Sequence, residues 1–264
     1  MIGIARGLWS YRNFICSSIR NELVSRFARS RLGGMWMIIN PLAQAAIYAV
    51  VLSNVISARL PDNENKYGYA LYLLAGFTAW TLFSEIVSRC LTLFIDNANL
   101  IKKVSFPRIT LPAIVVGSSL LNNAFLLVAV LMVYTLLGHD LSTSMLYIIP
   151  LTACVVAFAL GIGLILGVMN VFVRDLGQVT PILLQIWFWM TPVVYPLGIV
   201  PEVFQVIIEH NPMYHVVAGY QDALAFSRAP RMENVVWLML ASMLLMLLGL
   251  FMFRRAAPEV ADHL

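Results

Sequence analysis

The chain has 264 residues, of which 61% are hydrophobic and only 11% are charged, and its formal net charge is +4. Soluble domains carry about 25% charged residues, so this composition excludes an ordinary soluble fold. A positive charge this small, unevenly spread along the chain, is also poor evidence for nucleic-acid binding.

The N-terminal segment, residues 1–34, is predicted to form a basic amphipathic helix. Its apolar residues recur at steps of three and four, which places them on one helical face: Ile4, Leu8, Tyr11, Ile15, Ile19, Leu23 and Phe27. We expect such a helix to lie in the membrane interface and not to cross the bilayer. It acts either as a surface anchor alone or as a platform for a cytoplasmic partner, and the periodicity leaves both open.

Six apolar runs follow, each close to the roughly 20 residues that cross a bilayer. They cover residues 36–57, 69–88, 112–137, 145–173, 179–196 and 235–253. Three prolines, Pro181, Pro192 and Pro196, interrupt the fifth run, which membrane helices tolerate where neighbours satisfy the backbone. We therefore predict an all-α membrane protein with six transmembrane helices and a single transmembrane domain over residues 1–264. Residues 35–196 hold the first five spans, and residues 235–264 hold the sixth span and a tail.

The lysines and arginines give the orientation. Twelve of the seventeen lie in the N-terminal segment, the second loop, the fourth loop and the tail, whereas four lie on the opposite side. This bias puts both termini in the cytoplasm. The stretch NLIKKVSFPRITLP, residues 99–112, is then a cytoplasmic loop.

The sequence lacks the residue patterns that nucleotide binding and metal binding require. No stretch matches the phosphate-binding pattern G-x-x-x-x-G-K-[ST], and His210 and His215 do not have metal-ligand spacing, so we predict no cofactor, no metal and no catalytic activity in this chain. Glu85 can pair with Arg89 one helical turn later. Because the spans are otherwise poor in carboxylates, energy for any transport has to come from outside the chain.

The stretch between the fifth and sixth runs, residues 197–234, is extracytoplasmic by the charge count, yet much of it is apolar. An apolar patch of this size is typical of an interaction surface or a membrane-dipping segment. We predict a re-entrant helical hairpin whose turn lies at His210, Asn211 and Pro212. A single amphipathic helix on the outer surface is the alternative.

Four stretches resemble the permeases of type-2 ABC exporters, in the order in which that family has them. The first stretch carries a series of short elements: Arg20, Glu22–Leu23, Arg26–Phe27, Leu32–Gly33, Trp36 and Pro41. The others are NANLIKKVSFPRITLP, NVFVRDLGQV and NPMYHVVAGYQDAL. Glu22 falls one position later than in the family pattern, and Phe27 and Gln221 stand where tyrosine and arginine are common. The branch that the chain resembles is the polysaccharide-export permeases.

The resemblance implies that the second loop is a short helix that couples the permease to a separate ATP-binding subunit, through Asn99, Lys102, Lys103, Phe106, Pro107 and Arg108. Charged residues of this kind set register, and a buried aromatic ring provides the anchor. It implies a further cytoplasmic contact set: Arg20, Glu22, Arg26, Arg29, Arg174 and Asp175. Without the resemblance, the basic residues are explained as positive-inside anchors.

The resemblance also implies an assembly of two such permeases with two ATP-binding subunits, which bind ATP and Mg²⁺. It would export a lipid-linked polysaccharide across the bacterial inner membrane. Tyr48, Trp187 and Trp189 are candidates to line a sugar path, although aromatic residues also favour membrane interfaces. The alternatives are an exporter of a drug or lipid, an ion-coupled secondary carrier, and a membrane-bound glycan-modifying enzyme.

Overall fold

The structure is a computed structural model, and it describes residues 7, 9–27, 32–36, 38–40, 42–43, 46–47, 68–103, 107–140 and 142–263. Most of the predicted first span, residues 36–57, lies outside the described residues. So do Arg29, Tyr48 and Phe106, and the side chains of Arg26 and Lys103 are not described.

The described chain is organised as helices joined by short connections. The helices are α1 (Arg12–Phe27), α2 (Gly68–Asp96), α3 (Ala98–Lys103), α4 (Thr110–Leu136), α5 (Ile148–Phe172), α6 (Leu176–Trp189), α7 (Glu202–Glu209), α8 (Pro212–Leu224) and α9 (Met232–His263). Short 3-10 turns lie at Gly33–Met35, Thr143–Tyr147 and Leu197–Ile199.

Among the described residues, four helices are long and apolar enough to cross a membrane: Gly68–Asp96, Thr110–Leu136, Thr143–Phe172 and Glu233–Ala256. They match the second, third, fourth and sixth runs. Helix α2 has 29 residues, so it is about 43 Å long and exceeds the roughly 30 Å of the hydrocarbon core. Its last two turns therefore extend past the apolar run, and they carry Arg89 and Asp96.

Helix α5 is the centre of the bundle, and it packs mainly against α2 and α9. Small residues permit this close packing. A Cβ atom at Gly163 would lie 2.6 Å from the Cβ of Cys90, and a Cβ at Gly249 would lie 2.6 Å from the carbonyl oxygen of Gly161. Gly167 also meets Cys90. The spacing of Gly163 and Gly167 thus serves helix packing, as small residues do in membrane proteins.

The fifth run does not form one continuous helix. Helix α6 has 14 residues and ends at Trp189, which gives a length of about 21 Å. Residues 190–196 continue as turns and bends. Pro192 and Pro196 explain this ending, because proline lacks a backbone donor and disfavours helix in the residue before it.

Helix α1 packs on α4, within the described chain. Ile19 of α1 lies close to Gly117 of α4. A Cβ atom added at Gly117 would lie 2.5 Å from the Cδ1 atom of Ile19. Other apolar residues of this region are exposed, including Trp9 and Val24. The N-terminal segment therefore has one surface against the bundle and apolar side chains directed elsewhere.

Candidate functional site

A charged cluster joins α1, α2 and α4 at one end of the bundle. The Nη2 atom of Arg89 lies 2.6 Å from one carboxylate oxygen of Glu22 and donates a 2.8 Å hydrogen bond to the other. Its Nη1 atom donates to Ser118 at 2.6 Å and lies 3.6 Å from Glu85. Asn122 donates to the same Glu85 oxygen at 2.7 Å. One guanidinium thus connects three helices.

The burial of this cluster makes it more than a surface ion pair. The side chains of Arg89 and Glu22 are 19% and 24% exposed. The predicted pairing of Glu85 with Arg89 is present, but the closer partner of Arg89 is Glu22 from α1. Charged groups held this far from water need their partners, because an uncompensated buried charge is costly.

The predicted coupling loop begins with α3, a single short helix. Ile101 packs into the core, whereas Asn99, Leu100 and Lys102 are exposed. The side chain of Asn97 donates a 2.8 Å hydrogen bond to the Leu93 carbonyl, one turn from the end of α2. Helix α3 therefore has one buried anchor, Ile101, and an outer surface that combines polar Asn99 and Lys102 with apolar Leu100.

The other end of this loop is fixed by Pro107. Its carbonyl oxygen accepts hydrogen bonds from the backbone N–H and the hydroxyl of Thr110, both at 2.9 Å. These bonds begin α4 directly after the loop. Arg108 is half-buried beside this start. Both described ends of the loop are thus tied to long helices, α2 on one side and α4 on the other.

The remaining cytoplasmic residues predicted from sequence lie apart from the charged cluster. Arg20 is exposed on α1, and Arg174 and Asp175 are exposed in the turn between α5 and α6. The sequence analysis missed Asn170, which is buried and donates a 3.0 Å hydrogen bond from Nδ2 to the Leu91 carbonyl. Its position as the first residue of the stretch NVFVRDLGQV is the sequence signal that could have marked it.

On the opposite side of the bundle, Asn211 links the turn between α7 and α8 to the end of α6. Its Oδ1 atom accepts from the Met213 backbone N–H at 3.0 Å and from the Trp187 indole at 2.9 Å. Its Nδ2 atom donates to the Thr191 hydroxyl at 2.9 Å. The turn at His210 and Asn211 lies where the sequence predicted it, and Pro212 opens α8.

The irregular segment after α6 is held by side chains from two other helices. The Tyr72 hydroxyl donates to the Pro192 carbonyl at 3.1 Å and to the Tyr195 carbonyl at 3.0 Å, and Tyr69 donates to the Val194 carbonyl at 2.8 Å. Gln221 of α8 donates to Pro192 at 3.1 Å. Non-helical backbone is tolerated at membrane depth where such partners satisfy its carbonyls.

A groove of about 380 Å³ separates α2 from α6. Its walls combine aromatic rings with small polar groups: Phe77, Trp80, Thr81, Ser84, Ser88, Pro181, Leu184, Gln185, Phe188 and Trp189. Trp189 is 48% exposed and lines this groove. Trp187 lies in the aromatic core instead, with its ring 5.1 Å from Phe83 and 6.1 Å from Phe158.

Residues 14–225, which include most of α1 and all of α2 to α8, match the family described as ABC-2 type transporter. The chain is 30% identical to the O-antigen export system permease protein RfbA of Klebsiella pneumoniae, over 92% of each chain. It is 28% identical to the protein of the same name from Myxococcus xanthus, over the full length of both. It is 24% identical to the polysialic acid transport protein KpsM of Escherichia coli, over 88% of this chain and 89% of that one.

Proposed function

The chain belongs to the ABC-2 type transporter family, and from that premise we propose that it is the membrane-spanning subunit of an ATP-driven exporter of a lipid-linked polysaccharide. The observation that carries this proposal is similarity over nearly the whole chain to proteins named for O-antigen export and polysialic acid transport. The substrate class, a polysaccharide, is inferred from those names. The individual glycan is the one that the cell containing this chain synthesises.

The groove between α2 and α6 supports a sugar substrate. Sugar rings have an apolar face, which stacks on aromatic side chains, and a rim of hydroxyls, which hydrogen-bond to serine, threonine and glutamine. Trp80 and Phe188 supply rings, and Ser84, Ser88 and Gln185 supply polar groups in one continuous wall. We infer that Trp189, and Tyr48 from the first span, extend this path, whereas Trp187 supports it from behind.

The arrangement in the membrane is part of the proposal. Two further spans, residues 36–57 and α6 with its irregular continuation, would complete six, with both termini in the cytoplasm of a bacterium and the chain in its inner membrane. Helices α7 and α8 would form the re-entrant hairpin, since α7 exposes Val203, Phe204, Val206 and Ile207. A homodimer would place two six-span subunits around one path.

An ion-coupled carrier is less well supported. Such proteins keep carboxylates at mid-membrane depth to bind protons or cations. Here Glu85 lies toward the cytoplasmic end of α2, and it accepts from Asn122 and faces Arg89. A carboxylate engaged in this way is a structural group.

The source of energy provides the first test. Purified alone, the chain is expected to hydrolyse no ATP, because its sequence has no phosphate-binding loop. Hydrolysis is expected only when a separate ATP-binding subunit is added. In cells, deletion of the gene is expected to abolish surface polysaccharide and to leave glycan inside the cytoplasmic membrane. ATP hydrolysis by the isolated chain, or an unchanged surface polysaccharide, would overturn the proposed function.

The coupling loop is proposed to dock on that ATP-binding subunit. Helix α3 exposes Asn99 and Lys102, and the described ends of the loop are tied to α2 and α4. In this proposal Phe106 inserts into a cleft of the partner, with Lys103 and Arg108 beside it. Arg26, Arg29, Arg174 and Asp175 would make further contacts around the same partner.

Replacement of Phe106 by alanine is expected to weaken binding of the ATP-binding subunit by about 2 kcal/mol, because aromatic anchors at interface centres contribute most of the affinity. Lys102→Ala serves as the matched comparison, since an exposed charge at the rim contributes about 1 kcal/mol or less. Co-purification of the subunit with each variant measures the effect. If Phe106→Ala retains full binding and full export, the loop is not a coupling element. Its basic residues are then explained as positive-inside anchors.

A further inference from the structure

A cavity of about 600 Å³ opens at the extracytoplasmic end of the bundle. It lies where the start of α2, the segment after α6, the hairpin of α7 and α8, and the start of α9 come together. The residues that line it include Glu209, Tyr214, His215, Asp222, Arg231 and Asn234. Its volume falls within the range of about 300–1,000 Å³ that is usual for sites that bind small molecules.

The charges around the cavity balance. Arg228 pairs with Asp222, with its Nη2 atom 2.6 Å and its Nε atom 2.7 Å from the same carboxylate oxygen. Glu209 and Arg231 are a second pair of opposite charges on the cavity wall. Both act electrostatically on Tyr214, in opposite directions. Partial burial lowers the pKa of His215, so its imidazole is neutral at pH 7. A cavity without excess charge does not select a strongly anionic or cationic ligand.

Ring faces and polar atoms alternate on the cavity wall. The rings of Tyr214 and His215 lie 5.1 Å apart, and Phe226 lies edge-on to Tyr72 at 6.2 Å. The guanidinium of Arg228 lies 4.8 Å from the centre of the Phe226 ring. Within the described chain, Glu209 and Arg231 make no ion pair. The exposed carboxylate of Glu209 and the exposed guanidinium of Arg231 therefore lie beside aromatic surface in the cavity wall.

We propose that this cavity binds a sugar unit of low net charge from the glycan as it leaves the transporter. This inference rests on the proposed function and adds a second binding site to it, distinct from the groove between α2 and α6. Pairs of neighbouring hydroxyls both donate and accept, which suits the mixture of carboxylate, guanidinium, amide and phenol groups at Glu209, Arg231, Asn234 and Tyr214. The apolar ring face suits the aromatic wall.

The position of the cavity explains how such a site acts. Its wall includes Tyr72 and Gln221, which hold the irregular segment after α6, and Glu209 and His210 at the hairpin turn. A sugar bound here contacts the elements that close the extracytoplasmic end of the bundle. The site therefore links the presence of glycan to the position of the hairpin.

The test uses the complete transporter, purified with its ATP-binding subunit. The probe is the cell's own surface polysaccharide, released from lipid by mild acid and labelled with a fluorophore at its reducing end. Glu209→Gln and Tyr214→Phe are each expected to raise the dissociation constant about fivefold, the effect of losing one hydrogen bond to the ligand. Glu202→Gln and Tyr147→Phe are the matched controls, because both lie outside the cavity, and they are expected to bind as the unchanged protein does.

Three results would overturn the inference. Suppose that the cavity variants and their controls bind the glycan equally well, while deletion of the gene still abolishes surface polysaccharide. The cavity is then not a sugar site, and the proposed function stands. Loss of a co-purified zwitterionic phospholipid from the cavity variants, with glycan binding unchanged, would assign the cavity to a lipid headgroup. Normal surface polysaccharide in the deletion strain would overturn the proposed function and this site with it.

Discussion

Replacement of Arg89 by methionine is expected to lower the free energy of unfolding by about 3 kcal/mol and to loosen α1 from the bundle. Methionine preserves the length and the apolar stem of the side chain but removes the guanidinium. Two carboxylates, Glu22 and Glu85, would then remain close together without the cation that lies between them. Removing one partner of a buried ion pair costs about 3–5 kcal/mol, and the partial exposure here favours the lower end.

The measurement is the thermal unfolding of the purified permease in detergent, together with ATP hydrolysis by the complex. Arg89→Lys is expected to give an intermediate loss, because lysine retains the charge but not the planar group that contacts Glu22 and Ser118 together. Arg254→Met is the matched control, since Arg254 is an exposed basic residue of α9 that lies outside the charged cluster. An unfolding temperature for Arg89→Met equal to that of Arg254→Met would show that the charged cluster contributes nothing.

In the charged cluster, the contact within one helix was predictable from the sequence, whereas the contact between helices was not. The pairing of Glu85 with Arg89 follows from their spacing on one helix, and the structure contains it. The contact between Arg89 and Glu22 joins residues 67 positions apart, and no local pattern indicates it. The periodicity of α1 predicted a helix at the membrane surface, but not that Ile19 would pack on Gly117 of α4. Long-range contacts of this kind depend on how separate helices pack.

The apolar runs predicted the long helices well and the short elements less well. Four runs match helices of membrane-crossing length, because about 20 apolar residues are a strong and local signal. The fifth run has the hydropathy of a span, but three prolines interrupt it and its helix ends at Trp189. Hydropathy measures transfer of side chains into lipid, whereas the end of a helix depends on prolines and on which groups satisfy the freed carbonyls. Those groups, Tyr69, Tyr72 and Gln221, come from other parts of the chain.

The turn predicted at His210, Asn211 and Pro212 coincides with the connection between α7 and α8, but the reason for Asn211 at that position is visible only in three dimensions. An asparagine before a proline is a common helix start, and Asn211 does cap α8 through the Met213 N–H. Its bonds to Trp187 and Thr191 fix the hairpin to the end of α6. One side chain thus performs a local and a tertiary role, and only the local one follows from the sequence.

Asn211→Ala is accordingly expected to destabilise the packing of α7 and α8 against α6 by about 2–3 kcal/mol. The loss of a helix cap costs about 1 kcal/mol, and the Trp187 indole and the Thr191 hydroxyl would each lose a partner in a partly buried site. Asn211→Asp retains the acceptor for Met213 and Trp187 but loses the donor to Thr191, so a smaller loss is expected. Thermal unfolding of the two variants and of the unchanged protein gives the comparison.

The consequence for the hairpin is measured by thiol labelling in a chain whose three native cysteines are replaced by alanine. A cysteine at Ile207, which is 53% exposed on α7, is expected to react slowly with a membrane-impermeant reagent, because the proposed hairpin lies within the outer half of the bilayer. A cysteine at Asn63, in the predicted first extracytoplasmic loop, sets the fast limit. Adding Asn211→Ala is expected to speed labelling at Ile207, since the hairpin is no longer held to α6. Labelling at Ile207 as fast as at Asn63 in the otherwise unchanged protein would instead place α7 on the outer surface as an exposed helix, and the bonds of Asn211 would then position a surface element.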